Sequence, residues 1–405
     1  MNTAHGDAPT ANELPPSEKR LCAHCVGEEF LKALIAKEGE EIDCSYCKGQ
    51  SRTISILDLA DRVESAFDTY YERTPTEPDG LESSLQSDPE SEYEWHRRGD
   101  NVLLAICEGA SISEEVGKDV LSVLESRHYD HEAANFGQEC PFDKKSCYDR
   151  IEPEYGDVIE RWTKFENSLK TEARYFSRSC QETLDDIFAG LSGLETRSGT
   201  PVVVSAGPNG NIQSIYRARV FAGDDVRLCE AIKYPWKHLG PPPTVAASAG
   251  RMNARGISVF YGAMDECTAL AEIRPPVGSK VAIAKFSIER SLRLLDVEGL
   301  RSVVLHGSIF DPEHIRRIER ARFLDFLSHS FSKPVMPNEE SLEYVMTQAV
   351  ADYLATEAKL DGVVYPAVQV GGTVKNIVLF HHASRVSEFQ LSIVAEVRAF
   401  QFALN

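Results

Sequence analysis

Tyr216-Arg217-Ala218-Arg219, Gly250-Arg251-Met252-Asn253-Ala254-Arg255-Gly256, Val259-Phe260-Tyr261-Gly262 and Thr268-Ala269-Leu270-Ala271-Glu272-Ile273 follow one another between residues 216 and 273. The order is basic strand, glycine-bounded basic loop, strand ending in an aromatic, and helix with one carboxylate. Side chains two apart share a strand face, so Ile215, Arg217 and Arg219 point one way and Tyr216, Ala218 and Val220 the other. Two guanidinium groups on one face are costly to bury without anions and suit bidentate phosphate binding. Arg251 and Arg255 sit in a loop whose glycines let backbone N–H groups approach a ligand. These parts suit a ligand with phosphates, a ring and a sugar, as in a dinucleotide. The plainer alternative is four solvated arginines.

The run Ile257-Ser258-Val259-Phe260-Tyr261 predicts a mostly buried strand. Asp265 is an expected N-cap, with Glu266 in the first helical turn. Ala269 and Ile273 stack at i,i+4, Leu270 widens the apolar stripe, and Glu272 falls at its edge, half-buried. A half-buried Glu one helix after a strand-end Tyr is a reasonable active-site pair, although a lone helical Glu is ordinarily solvated.

Together these motifs resemble the RES family, toxin domains named for an Arg, a Glu and a Ser. The resemblance spans about 211 to 390 and continues through Asp361-Gly362-Val363-Val364-Tyr365-Pro366 and Asn376-Ile377-Val378-Leu379-Phe380. It implies a fold akin to ADP-ribosyltransferases and cleavage of NAD at the nicotinamide–ribose bond. The ADP-ribose is then released, phosphorolysed or transferred to a protein. Arg217 matches the family's Arg, Glu272 its Glu, Tyr261 its strand-end aromatic and Arg251 the Arg of its loop. By this resemblance the catalytic residues are Glu272, Tyr261 and Arg217, and NAD is held by Arg217, Arg219, Arg251, Tyr261 and Asn376. The family's Ser follows Tyr-Pro; here that place is Ala367. Alanine can neither hydrogen-bond a phosphate nor orient water, so either a neighbour such as Thr373 substitutes or the chemistry is weakened or altered.

By this resemblance, departure of nicotinamide would leave an oxocarbenium-like ribose, which a carboxylate beside it, Glu272, would stabilise. Tyr261 is expected to stack on the ring or fix the ribose, and Arg217 with Arg251 to clamp the pyrophosphate.

The 405 residues carry a formal net charge of −20, which disfavours nucleic acid and anionic membranes as partners. There is no apolar leader segment and no transmembrane-length apolar run, so a cytosolic location with reduced thiols is expected. Cys22-Ala23-His24-Cys25 and Cys44-Ser45-Tyr46-Cys47 are two C-x2-C knuckles at the spacing of a structural zinc site, around a short amphipathic helix from Glu28 to Lys37. His128, His131, Cys140 and Cys147 fit no common zinc module and are expected to be loop histidines and buried cysteines, with a second metal site as the alternative.

From about 53 to 190 helical periodicity dominates. Ile56, Leu59, Val63, Phe67 and Tyr70 form one stripe. Ser111-Ile112-Ser113-Glu114 predicts a capping box opening a helix. Tyr155 to Phe188 is expected to be helical, with Ile159, Trp162, Phe165, Leu169 and Phe176 as core. A Pro/Ser/Asp/Glu-rich loop from about 74 to 92 is expected to be mobile. This region resembles the HEPN-associated domain found ahead of RES domains. The Arg and His spacing of HEPN ribonucleases occurs nowhere between 20 and 190, although it does occur further on, as at Arg322 and His329. A sensor, dimerisation or inhibitory module is therefore expected.

The predicted class is α+β: a disordered 1–19, a zinc-knuckle and helical domain 20–190, a linker 191–210, and a mixed-sheet RES domain 211–400. Strands are expected at 280–288, 292–297, 362–366 and 374–381, with helices at 312–328 and 341–358 and a Gly371-Gly372 hairpin turn. The resulting expectation is an NAD-consuming toxin-type enzyme, with an antitoxin or phage-derived trigger as partner and homo-oligomerisation as an option. The rivals are a protein ADP-ribosyltransferase and an impaired domain that only binds.

Overall fold

The computed structural model describes residues 14–153, 156–172, 177–305, 307–333, 340–367, 374–386 and 398–401. The chain divides into two compact units, Met1–Glu154 with His306–Arg316, and Tyr155–Leu305 with Arg317–Asn405. The α+β class holds, with helices and a mixed sheet.

The first unit begins with β1 (Arg20–Cys22), α1 (Glu29–Glu38), β2 (Glu40–Glu41) and β3 (Arg52–Ser55), the strands pairing in the order β1-β3-β2. Next comes α2 (Ile56–Tyr70), opened by a reciprocal box between Ser55 and Asp58. Its stripe of Ile56, Leu59, Val63, Phe67 and Tyr70 is buried, as its period requires. β4 (Tyr71–Arg73), α3 (Gly80–Ser87), β5 (Asp100–Asn101), α4 (Val102–Ala110), α5 (Glu114–His128), α6 (His131–Asn135) and β6 (Cys147–Arg150) complete the unit.

Two expectations change here. The 74–92 segment contains α3, because Asp79 and Glu82 cap its first turn reciprocally. The N-cap of α5 is Ser113, whose hydroxyl accepts from the Val116 N–H. Ser111 instead closes α4 in the left-handed conformation, its N–H bonded to the carbonyls of Cys107 and Glu108.

The second unit holds α7 (Gly156–Thr171), α8 (Arg178–Phe188), β7 (Val203–Ala206), β8 (Ser214–Phe221), α9 (Asp225–Lys233), α10 (Pro235–His238), β9 (Phe260–Ala263) and α11 (Glu266–Ile273). It continues with β10 (Lys280–Ser287), β11 (Leu292–Asp296), α12 (Pro312–Ser332, here from Arg317 on), α13 (Glu340–Thr356), β12 (Gly362–Pro366), β13 (Lys375–Leu379) and β14 (Arg398–Gln401). One eight-stranded sheet runs β14-β10-β8-β9-β13-β12-β11-β7. Only β11 and β12 pair in parallel, which their long helical connection permits.

One sheet face packs Leu295, Val363 and Val378 against Phe165, Leu169, Leu184 and Phe188 of α7 and α8 and against Phe323 and Val350 of α12 and α13. The opposite face gathers Ile215, Phe260, Phe286, Val364 and Ile377 with Leu228 of α9. These alternating assignments follow the period of two.

The predicted boundary at 190 and the linker 191–210 are corrected. α7 and α8 belong to the core of the second unit, and the supposed linker supplies β7, which pairs antiparallel with β11. Leu191, Val202 and Ala206 are buried there. Ser, Gly and Thr in this stretch mark turns around an edge strand. Trp162, Phe165 and Leu169 join the core, but Ile159 is exposed because it lies off the stripe defined by Val158, Phe165 and Leu169. Phe176, Gly371, Gly372 and Thr373 lie outside the described residues. Among the described residues no helix is long and apolar enough to cross a membrane.

Candidate active site and metal centre

β8 pairs with β10 over its whole length and β9 with β13 over four residues, yet β8 and β9 share one register pair, Tyr216 with Ala263. The sheet therefore opens between these strands. A cavity of about 220 Å³ occupies the opening, lined by Tyr216 and Arg217 of β8, Tyr261 of β9, Glu272 of α11, Tyr365 of β12 and Asn376 of β13. Strands unpaired along an opening leave backbone groups for a ligand. The volume is below the ~300–1,000 Å³ of ordinary small-molecule sites, so it suits a fragment such as a ring and sugar.

α11 begins as its sequence predicts, with the Asp265 carboxylate accepting from the Thr268 N–H and hydroxyl. Two turns later comes Glu272, which is exposed and not half-buried as expected. Its neighbours on the helix, Ala269, Leu270 and Ile273, are the ones that pack into the core. Its Oε1 accepts from Asn376 Nδ2 at 2.7 Å, so a solvated carboxylate is tethered to a buried amide. Asn376 is 4% exposed, and its own Oδ1 is buried without a hydrogen-bond partner among the described residues.

Arg217 donates to the Gly240 carbonyl at 3.1 Å, and its guanidinium lies 5.1 Å from the centre of the Phe260 ring. Burial, aided by nearby Arg219, pulls it down to about 10, so it remains cationic at neutral pH. Among the described residues only one of its five donors meets a hydrogen-bond partner, the Gly240 carbonyl, which suits an anion.

Tyr261 contributes its ring to the cavity wall, while its hydroxyl is committed elsewhere. It donates to Asn253 Oδ1 and accepts from the Met252 N–H, both at 2.9 Å. Burial pushes the phenol up to about 12, so it stays protonated at physiological pH. The side chain fixes the Gly250–Asn253 loop, and a Cβ at Gly250 would come within 2.7 Å of that hydroxyl. Thr347 and Gln348 of α13 hold the same loop by its Arg251 and Gly250 carbonyls.

Arg251 and Arg219 do not join the cavity lining. Arg251 donates to the carbonyls of Ser330 and Lys333 and covers the Tyr344 ring, capping the C-terminal end of α12 as a cation does. Arg219 is exposed and donates to the His238 carbonyl at 2.7 Å. Asn253, Tyr365 and Tyr216 were missed as site residues. Buried Asn253 has three carbonyls around its amide nitrogen. Tyr365 stands opposite Asn376 in the β12–β13 register, which pairing the two predicted strands as a hairpin would have revealed. Ala367, at the end of β12, is fully buried, and its N–H bonds the Val374 carbonyl.

In the first unit the Sγ atoms of Cys22, Cys25, Cys44 and Cys47 all lie within 4.8 Å of one another. The closest separations are 3.5 Å (Cys22–Cys47), 3.8 Å (Cys22–Cys25) and 3.9 Å (Cys25–Cys44). Zn–S bonds of ~2.3 Å in a tetrahedron require S···S distances of about 3.8 Å, so the donor set fits zinc. Burial raises the Cys22 thiol, but hydrogen bonds from Cys47 and the Cys25 and His24 backbones outweigh it and bring it down to about 6. The knuckles are stitched together by Arg20 N–H to Ser45 Oγ and Ser45 N–H to the Arg20 carbonyl, both 2.9 Å. His128 instead bonds Glu64 at 2.6 Å, and among the described residues the four-cysteine group is the only such cluster.

The family model described as the RES domain matches residues 216–403, which hold β8, β9, α11, β12 and β13 and hence the whole cavity lining. No curated protein matches the chain.

Proposed function

We propose that the RES domain of this chain consumes NAD by breaking the bond between nicotinamide and ribose. The observation that carries this reading is the Glu272 carboxylate, tethered by Asn376 at a small cavity that Arg217 also lines. The C1′–N bond breaks with its electron pair passing to the pyridinium nitrogen, and nicotinamide leaves neutral. The oxocarbenium so formed is stabilised by Glu272, while Arg217 holds a phosphate of the remaining half. Water adds to C1′ and loses a proton, giving ADP-ribose; inorganic phosphate in its place gives the 1-phosphate.

Tyr261, with its hydroxyl committed, offers the ring face and the loop behind it rather than acid–base chemistry. The four-cysteine group would hold zinc and fix the fold of the first unit, leaving that unit a regulatory role as the contact for an antitoxin or a phage-derived trigger. The biological setting would be bacterial toxin–antitoxin or anti-phage defence.

Ala367 favours a second reading, a domain that binds nucleotide without turning it over. Its buried methyl offers no hydroxyl where the family pattern has Ser. Incubating the full chain with isotopically labelled NAD separates the outcomes. Free ADP-ribose or its 1-phosphate supports hydrolysis or phosphorolysis, and labelled protein indicates transfer. Bound but intact NAD selects the binding module and overturns the first reading.

A further inference from the structure

Asn376 carries an imbalance that the cleavage reaction does not by itself explain. A side-chain amide has two donors and one acceptor, and an ionised carboxylate only accepts. The contact to Glu272 Oε1 therefore has to come from Nδ2, which settles the orientation of the amide. Its carbonyl Oδ1 is then turned to the other side, where it is buried and, among the described residues, meets no donor. An acceptor left this way is destabilising and rare in folded proteins. Asn376 also lines the cavity, between Ala263 of β9 and Tyr365 of β12 in the sheet register. Asn376 is thus a cavity-lining side chain that carries one hydrogen-bond acceptor unmet among the described residues.

We propose that Asn376 is the positioning residue of this site: its N–H sets the Glu272 carboxylate, and its Oδ1 accepts from an N–H or O–H donor of the nicotinamide–ribose half. This rests on the dinucleotide reading above. The two roles are linked through one rigid amide plane. A ligand donor that engages Oδ1 locks the plane, and the locked plane holds the carboxylate. Binding of the correct half therefore orders the charge that stabilises the transition state.

Calorimetric titration of the full chain with NAD in its uncleavable carbocyclic-ribose form, and separately with ADP, which lacks the nicotinamide–ribose half, tests the acceptor role. Asn376→Ala should weaken NAD about 5- to 10-fold, the value of one ordinary hydrogen bond, and leave ADP unchanged. If the loss persists with the 3-acetylpyridine dinucleotide, which has no carboxamide N–H, the donor is a ribose hydroxyl. If it vanishes, the donor is the carboxamide. Equal NAD affinity in parent and variant overturns the acceptor role, and so does an equal loss for both ligands with a lowered melting temperature, which would mark a structural asparagine. A parent that binds neither ligand sinks the dinucleotide reading and this inference with it.

Asn376→Asp tests the positioning role by keeping the acceptor and replacing the donor with a second carboxylate. Turnover of the variant relative to the parent should fall as pH rises, because two ionised carboxylates at this separation repel. A ratio constant with pH overturns the positioning role.

Discussion

Replacing Arg217 by Ala should separate stability from affinity. In the free protein the guanidinium is largely buried with one carbonyl partner. Its folded-state value of about 10 lies below the ordinary 12.5, so the charged form is penalised throughout the range below both values, neutral pH included. That difference is worth roughly 3 kcal/mol, and it is relieved only as pH rises through the folded value. Against it stand a charge-assisted bond to Gly240, worth about 1.5–3 kcal/mol, and the Phe260 contact, about 0.5–1 kcal/mol. The two sides nearly cancel, so the variant should unfold within about 1 kcal/mol of the parent. A bound pyrophosphate changes the comparison, since it pairs the unused donors. Affinity should then fall by about 1.5–3 kcal/mol, a factor of about 10–150. ADP-ribose suits the calorimetry because it keeps the pyrophosphate and cannot be cleaved again. Unchanged affinity would remove Arg217 from the phosphate site; a large stability loss with unchanged affinity would make it a structural cation.

Tyr261→Phe should destabilise the protein by about 2 kcal/mol or more in urea unfolding, because it strands the Met252 N–H and the side-chain Oδ1 of Asn253 together; parental stability would contradict the anchoring role. Protein purified without chelators should hold one equivalent of zinc by elemental analysis, and Cys44→Ser should lose both the metal and the local fold, since thiolate ligation contributes ~10–16 kcal/mol in small zinc peptides. Absence of zinc in the parent would refute the centre. Ala367→Ser places a hydroxyl at a fully buried position, and raised turnover is expected if the family's Ser role is merely missing here, whereas unchanged turnover would show that it is not needed.

Much of the second unit was legible because its signals are local. The predicted strands and helices between 280 and 381 fall on β10, β11, α12, α13, β12 and β13 to within a few residues, and the Asp265 cap opens α11 as read. The errors came where a local pattern had a distant competitor. Ile257 to Val259 looked like strand, but the Ile257 carbonyl accepts from Asn253 and the Ser258 hydroxyl donates to the Pro242 carbonyl, so β9 starts at Phe260. Arg251 looked like a phosphate ligand, yet its partners are carbonyls some 80 residues away at the end of α12. No spacing rule reaches that far.

The candidate site was legible in its residue types and not in its couplings. Glu272, Arg217, Tyr261 and Asn376 were all named from sequence, and the sheet opening between β8 and β9 brings them to one cavity. The Glu272–Asn376 bond, the commitment of the Tyr261 hydroxyl and the unmet Asn376 oxygen are properties of pairs across strands, which single-residue reading does not supply. The cysteine knuckles are the opposite case, because the chance of holding a metal lies in the spacing itself.

The most direct test of the account is nicotinamide release from NAD by the purified full chain, set beside Glu272→Gln. That substitution keeps the shape of an exposed side chain and removes the charge on which the oxocarbenium depends. The account predicts steady release by the parent and a drop of ~10²–10³ in the variant, with melting temperature unchanged. Release at the parental rate from Glu272→Gln, or none from a well-folded, zinc-loaded parent, would contradict it.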